Sequence, residues 1–172
     1  YILLGQLYAL KFDSENSLKY FQTAEEKNLR NAALYLEWGK VLEKFEKYDE
    51  AKSKLLKALE LDAENVEINS YLGLCCAARK ELDEAKPLLE KALEKEPENK
   101  VVKQALGIIA YENDETYKAL ELLRADDEDA VNSYYLAKCY EKLNNDTKVK
   151  DYYENAILFN PKYIAAFTDY SR

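Results

Sequence analysis

The chain has 172 residues, of which 48% are hydrophobic and 34% charged, enough apolar material for one ordinary domain or a short repeat array. These proportions exclude a disordered chain. No stretch approaches the roughly 18 apolar residues of a membrane-spanning helix. The 4 glycines and 3 prolines are too few for a fold of many strands and turns. The sequence has no histidine, the commonest general base and metal ligand, and its net charge of −8 opposes binding to a nucleic acid backbone.

The small residues recur with a fixed period. The glycines stand 34 residues apart, at Gly5, Gly39, Gly73 and Gly107. Two sets of alanines keep the same step, at Ala24, Ala58, Ala92 and at Ala51, Ala85, Ala119. A fixed period of this size is typical of a repeat array in which each unit stacks on the next.

Each period contains two predicted helices. In the second period, apolar residues at helical spacing run from Tyr35 to Phe45, and another amphipathic set begins at Tyr48. Asp49 and Glu50 lie in the first turn of that second helix, where the helix dipole favours acidic groups. Because neither helix can bury its apolar face alone, we expect antiparallel helix pairs that stack on one another.

One set of residues repeats a known motif. In the second period it consists of Tyr35, Trp38, Gly39, Leu42, Ala51, Leu55 and Ala58. This pattern resembles the tetratricopeptide repeat family, whose unit carries an aromatic residue, Leu-Gly, a large residue and alanines at fixed offsets. The resemblance covers essentially the whole chain and implies an all-α, right-handed α-solenoid of about five units plus a partial sixth helix. The implied repeats of this single array are 1–31 (incomplete at its start), 32–65, 66–99, 100–129, 130–163 and 164–172 (partial).

The fourth repeat departs from the family pattern. It has 30 residues rather than 34, from Lys100 to Asp129. We expect its second helix to end near Arg124, followed by a turn over residues 125–129. Since each helical residue rises about 1.5 Å, losing about one turn should change the stacking angle between the fourth and fifth repeats.

The resemblance also implies a binding surface. In the family, the first helices of successive units line a concave groove that commonly holds a partner's peptide. Carried over residue by residue, the implied groove positions are Lys40, Tyr71, Leu74, Ile108, Tyr111, Tyr134, Tyr135 and Lys138. Tyrosine is frequent at binding surfaces, yet we expect roughly half of these positions to be structural. A largely apolar or aromatic peptide is therefore expected across repeats three to five.

One binding mode of the family is not expected. Some members grip a partner's C-terminal carboxylate with a set of basic and amide side chains. In the third unit, Glu67 and Tyr71 stand where basic groups would be needed. The sequence therefore argues against a carboxylate-gripping site.

Neither a metal site nor an active site is indicated. The acidic run from Asp126 to Asp129 lacks the spaced ligands and the glycine of a calcium loop, so we expect a solvated turn. Cys75, Cys76 and Cys139 lack the spacing of a zinc site or a redox pair. Their free thiols favour a reducing compartment such as the cytoplasm. No cofactor, no metal and no enzyme activity are expected.

The favoured function is a non-catalytic protein–protein interaction scaffold that binds a peptide or helix segment of a protein partner. Two alternatives stay open: a self-assembling structural element, and the regulatory arm of a larger enzyme or receptor. Apolar residues without a polar cap occur at both ends, namely Tyr1, Ile2, Leu3 and Ile164, Phe167, Tyr170. They favour a fragment of a longer protein, or homo-oligomers that pair through the ends.

Overall fold

The computed structural model describes residues 1–162 and 164–170, without the side chains of Ile164, Phe167 and Tyr170. The expectation that these three side chains form an uncapped end therefore lies outside the described residues. The described residues form helices and turns and contain no strand, so the predicted all-α fold is confirmed. They divide into two compact units, an N-terminal unit Tyr1–Glu96 and a C-terminal unit Pro97–Arg172.

The N-terminal unit consists of three helix pairs. Within each pair a short turn joins two consecutive helices that pack together, and α4 of the second pair also packs against α5 of the third. The helices are α1 Ile2–Leu10, α2 Ser14–Glu26, α3 Ala32–Lys44, α4 Tyr48–Leu61, α5 Val66–Ala78 and α6 Leu82–Lys95.

The C-terminal unit has two helix pairs and one further helix. Its helices are α7 Lys100–Glu112, α8 Thr116–Leu123, α9 Ala130–Lys142, α10 Asp146–Phe159 and α11 Ile164–Tyr170. With 8 residues, α8 is shorter than the 14 of α4, α6 and α10, and a 3-10 turn Arg124–Asp126 follows it. This early end coincides with the shortened fourth repeat of the sequence.

Side-chain caps begin the first helix of each pair from α3 onwards. A side-chain oxygen accepts a hydrogen bond from a backbone N–H two or three residues later at Asn31, Asn65, Asn99 and Asp129. The caps satisfy donors that would otherwise be unpaired at a helix start. Because they recur with the repeat, the start of each of these helices is encoded locally.

The turn inside each pair contains a left-handed residue that is not glycine. Its φ angle lies between 55° and 63° at Phe12, Glu46, Lys80, Asp114 and Asn144. The next residue donates its N–H to a carbonyl five positions back, as Lys47 does to Leu42 at 2.9 Å. This is the hydrogen bonding of a Schellman helix end, which stabilises a conformation that side chains normally disfavour.

The repeat glycines mark where paired helices approach most closely. A Cβ atom placed at Gly39 would lie 2.5 Å from Cγ of Leu55, which is fully buried on α4. Gly5, Gly73 and Gly107 meet a large side chain of the paired helix at comparable distances. Packing, rather than backbone conformation, therefore explains the glycine period.

The outer face of α1 is unusually apolar for an exposed surface. Leu3, Leu7 and Leu10 are 80%, 46% and 69% exposed, and they lie on one side of the helix. The positions equivalent to Leu7 in the next two repeats are Val41 and Cys75, and both are buried. At the position of Leu7, α1 thus exposes an apolar side chain where the next two repeats bury one.

Candidate functional site

A cavity of about 570 Å³ opens between the first helices of the N-terminal unit. Its walls come from α1, α3 and α5, because the first helices of successive pairs lie side by side. Leu10 and Val41 supply apolar wall, whereas Lys40, Glu43 and Tyr71 supply polar groups. Such a mixture, mostly apolar with a few placed polar groups, is typical of ligand-binding clefts.

Lys40, a predicted groove residue, lies in this cavity but its charge is already neutralised. Its ammonium group lies 2.9 Å from a carboxylate oxygen of Glu37 and 2.7 Å from one of Glu67, and 5.2 Å from the ring centre of Tyr71. Burial opposes the charge, but hydrogen bonds to Glu67 and Glu37 outweigh it and raise the pKa of Lys40. Lys40 therefore shapes the cavity rather than offering a free cation.

Two polar groups in the cavity remain unsatisfied by the described residues. The half-buried Glu43 carboxylate makes no ion pair or side-chain hydrogen bond with any of them, and burial raises its pKa. The half-buried Tyr71 hydroxyl likewise has no hydrogen-bond partner among them. Both groups are available to a ligand that enters the cavity.

A cluster of tyrosine rings lies on the first helices of the C-terminal unit. Tyr135 makes edge-to-face contacts with Tyr111 and Tyr134, with ring centres 5.4 and 5.3 Å apart. Ile108 and Tyr111 also pack against the buried core of this unit, and all four side chains are half-buried. The rings therefore combine a packing role with a partly exposed aromatic surface.

Two predicted groove residues of this unit are held by the last helix. The Tyr134 hydroxyl donates a 2.8 Å hydrogen bond to Asp169 on α11. The ammonium group of Lys138 lies 2.7 Å from Glu141 and 3.6 Å from Asp169. These contacts favour a structural role for Tyr134 and Lys138.

The eight predicted groove residues fall into two separate sets. Lys40, Tyr71 and Leu74 belong to the N-terminal unit, and the other five belong to the C-terminal unit. Lys40 and Tyr71 line the cavity, whereas Leu74 is half-buried on α5 away from its walls. A peptide path across repeats three to five stays a prediction.

One group of side chains has the composition of a metal site. Ligand atoms of Cys76, Glu81 and Glu84 lie within 4.8 Å of one another. The ammonium group of Lys52 lies 2.7 Å from Glu81 and 2.8 Å from Glu84, so a cation already bridges the two carboxylates. Burial raises the pKa of the Cys76 thiol to about 11, which keeps it protonated at neutral pH.

The acidic run after α8 also has partners. Asp126 lies 3.1 Å from the Lys100 ammonium group, and Asp129 caps the start of α9. Among the described residues, no helix is both long enough and apolar enough to span a bilayer.

Comparisons with known proteins agree with this architecture. The tetratricopeptide repeat family matches residues 36–100 and, in a second match, residues 77–137, so the two together span more than half of the chain. None of the curated proteins matches the sequence.

Several solved structures are similar to this chain. YrrB, described as a TPR protein with an unusual peptide-binding site, is 24% identical with a TM-score of 0.77, covering 100% of this chain and 91% of YrrB. PilF of Pseudomonas aeruginosa is 18% identical with a TM-score of 0.82, covering 99% and 79% of the two chains. MamA is 20% identical with a TM-score of 0.76, covering 94% and 91%. At these identities the likeness shows the shared fold alone.

The glycine and alanine period, the helix pairs and the two family matches lead to one conclusion. The chain belongs to the tetratricopeptide repeat family.

Proposed function

We propose that the chain is a protein–protein interaction scaffold that binds a peptide or helix segment of a partner on the first helices of its repeats. The observation that carries this proposal is the cavity between α1, α3 and α5, with its apolar walls and its two unsatisfied polar groups. The description of the similar YrrB as having a peptide-binding site supports the same class of function.

The cavity favours a particular kind of segment. An apolar side chain of the partner would pack against Leu10 and Val41, and a neighbouring lysine or arginine would pair with the Glu43 carboxylate. A backbone or side-chain acceptor would take the hydrogen bond of the Tyr71 hydroxyl. Because a partly buried carboxylate without a partner is costly, pairing it on binding is a source of affinity.

The C-terminal unit supplies its own contact surface in this proposal. Ile108, Tyr111 and Tyr135 offer a partly exposed aromatic and apolar patch, since their side chains are only half-buried. Aromatic side chains contribute much of the affinity at protein interfaces. The patch is suited to an apolar or aromatic side chain of the partner.

The test uses a library of random dodecapeptides selected for binding to the intact chain. For a selected peptide that contains a basic residue, Tyr71→Ala and Glu43→Gln should each weaken binding by about tenfold, because each removes one anchoring group. Tyr111→Ala should weaken binding of peptides that contact the aromatic patch. Circular dichroism should show an unchanged helical content in every variant.

The control is Glu60→Lys, which changes an exposed residue on the second helix α4. It should leave peptide affinity within twofold of the parent chain. An equal loss of affinity in Glu60→Lys, or unaltered affinity in both Tyr71→Ala and Glu43→Gln, would contradict the placement on the first helices.

A second candidate function is self-association through the outer face of α1. The observation that favours it is the row of exposed leucines at Leu3, Leu7 and Leu10, since exposed apolar patches commonly mark contact surfaces. A second copy of the chain is the occupant in this proposal.

A further inference from the structure

Two basic side chains of the C-terminal unit converge on one tyrosine oxygen. The hydroxyl oxygen of Tyr140 on α9 accepts a hydrogen bond from Nη2 of Arg124, directly after α8. It accepts a second from Nζ of Lys148 on α10, at 3.2 Å. A neutral tyrosine is an unusual shared partner for two cations, because it carries no charge to offset theirs.

Neither cation is neutralised by a carboxylate among the described residues. The Arg124 side chain contacts Tyr140 and the neighbouring Tyr152, and the Lys148 ammonium group contacts Tyr140. Neither forms an ion pair with any residue that the structure describes. This sets them apart from Lys40, Lys52 and Lys138, each of which bridges two carboxylates.

The corresponding place in the N-terminal unit has the opposite character. Equivalent positions in the third and fifth repeats are separated by two periods minus the four residues that the shortened fourth repeat lacks. Cys76 therefore corresponds to Tyr140, Glu81 to Asn145 and Glu84 to Lys148. At the earlier place Glu81 and Glu84 hold the Lys52 ammonium group. At the later place an amide and a lysine replace both carboxylates, so the same position in the repeat changes from acidic to basic.

The tyrosine is held rigidly, whereas the cations are accessible. The Tyr140 side chain is 4% exposed and its ring stacks on Tyr152 with centres 5.5 Å apart. Arg124 and Lys148 are exposed residues, so a ligand from solvent can reach both. Burial opposes ionisation of the Tyr140 hydroxyl, but the hydrogen bonds from Lys148 and Arg124 outweigh it and lower its pKa. The local environment therefore favours negative charge.

None of the four carboxylates in the acidic run that follows α8, at Asp126, Asp127, Glu128 and Asp129, forms an ion pair with Arg124 or Lys148. Asp126 is paired with Lys100 at 3.1 Å. Asp129 accepts hydrogen bonds from the first backbone N–H groups of α9. The two carboxylates are thus engaged away from Arg124 and Lys148.

We propose that Arg124, Lys148 and Tyr140 form a binding site for a phosphate monoester group. The guanidinium group offers paired donors that suit two oxygens of one phosphate, and the ammonium group binds a third. Two cations match the double negative charge of a phosphate monoester better than the single charge of a carboxylate. In the bound state the Tyr140 hydroxyl turns from acceptor to donor. This site is independent of the proposed peptide cavity.

The experiment measures anion binding to the intact chain by amide NMR in a phosphate-free buffer. Inorganic phosphate should give saturable shifts at residues around Arg124, Tyr140 and Lys148, and acetate at the same ionic strength should not. Arg124→Gln and Lys148→Gln should each weaken phosphate binding by at least about tenfold, since each removes one positive charge and the charge-assisted hydrogen bonds that it makes. Tyr140→Phe, which keeps the ring, should weaken binding less.

Lys118→Gln is the matched control, because Lys118 occupies the position of Lys148 in the preceding repeat. It makes the same change of charge and should leave the phosphate affinity within twofold. Equal weakening in Lys118→Gln, equal binding of acetate, or shifts that never saturate would overturn the proposal.

A second arm distinguishes the source of the phosphate group. A short neutral peptide with one phosphoserine is compared with inorganic phosphate and with the unmodified peptide. Tighter binding of the phosphopeptide supports a phosphorylated partner, whereas equal affinity supports a small phosphate-bearing ligand. Binding of the unmodified peptide as tightly as its phosphorylated form contradicts the proposed role of these residues.

Discussion

At the scale of single residues, Glu25 shows how charges stabilise the N-terminal unit. Its carboxylate accepts hydrogen bonds from the Tyr35 hydroxyl at 2.9 Å and from the ammonium groups of Lys57 and Lys54 at 3.1 and 3.2 Å. Burial opposes the charged form, but these hydrogen bonds outweigh it and lower the pKa of Glu25 from 4.5 to about 2. One side chain thereby connects α2 to α3 and α4.

The lowered pKa predicts a pH-dependent loss of stability. Because the folded pKa lies below the unfolded value, Glu25 stabilises the fold fully above about pH 4.5, and the contribution is lost as the pH falls towards 2. After allowance for solvent screening, Glu25→Gln should lower the free energy of unfolding by about 1–2 kcal/mol at pH 7. Urea denaturation at several pH values measures the difference, which should shrink below pH 4.5.

The neighbouring exposed residue provides the control for this prediction. Glu26→Gln makes the same change of charge, and the exposed Glu26 carboxylate accepts only a hydrogen bond from Gln22, which a glutamine oxygen can still accept, so it should cost little at any pH. A penalty for Glu25→Gln that stays constant from pH 7 to pH 3 would show that lost ion pairing is not its origin.

The sequence does not predict which charged side chains form ion pairs. The repeat position of Lys40 indicates only which helix carries it, whereas its pairing with Glu67 depends on a residue 27 positions away. Glu43, on the same helix, is left without such a partner. Repeat spacing identifies which helix carries a residue, but only the packed neighbours decide which charges are neutralised.

At the scale of helices, the pairing of α3 with α4 depends on the missing side chain of Gly39. A methyl group there would lie 2.5 Å from Cγ of the buried Leu55. Gly39→Ala should therefore lower the free energy of unfolding by about 1–3 kcal/mol, as overpacked cores do. This loss is expected even though alanine has a higher helix propensity than glycine. Chemical denaturation measures the change in the free energy of unfolding.

A double-mutant cycle with Leu55→Ala provides a sharp control. Leu55→Ala alone should destabilise the chain by about 2–5 kcal/mol through the cavity it leaves. With Leu55 truncated, the clash disappears, and adding Gly39→Ala should be neutral or stabilising. Simple additivity of the two changes would refute a direct clash between these positions.

The fifth repeat is consistent with glycine being required only where the facing side chain is too close for a Cβ atom. Ala137 stands at its glycine position, and Tyr153 takes the place of the leucine on the paired helix. Both side chains are buried together in the core of the C-terminal unit. A Cβ atom is therefore accommodated when the facing side chain has a different shape.

At the scale of the whole molecule, net charge and exposed apolar surface have opposite effects on self-association. The charge of −8 opposes self-association at low salt, whereas the exposed leucines of α1 favour it. The second candidate function predicts a light-scattering mass that rises over a hundredfold concentration range, and more steeply at high salt, where repulsion is screened.

Substitutions on α1 distinguish self-association through this surface from non-specific association. The double variant Leu3→Lys with Leu7→Lys should keep the monomer mass throughout, because it places charges on the apolar face and leaves the cavity residue Leu10 unchanged. Leu61→Lys, on an exposed leucine of α4, should associate like the parent chain. A monomer mass for the parent chain at every concentration and salt would rule out self-association through α1.

The sequence by itself determined the repeat period, the two helices per repeat and the family. These features are encoded locally or repeat at a fixed step, so one chain displays them several times over. The early end of α8 also follows from counting residues between recurring positions.

Only the tertiary structure decided the details that depend on contacts between distant residues. The left-handed residues Phe12, Glu46 and Lys80 are poor candidates for that conformation by residue type, and the helix-end hydrogen bonds hold them there. The cavity beside Glu43 and the convergence of Arg124 and Lys148 on Tyr140 arise from separate helices. Such groupings depend on how side chains meet after packing, which residue spacing along one helix does not specify.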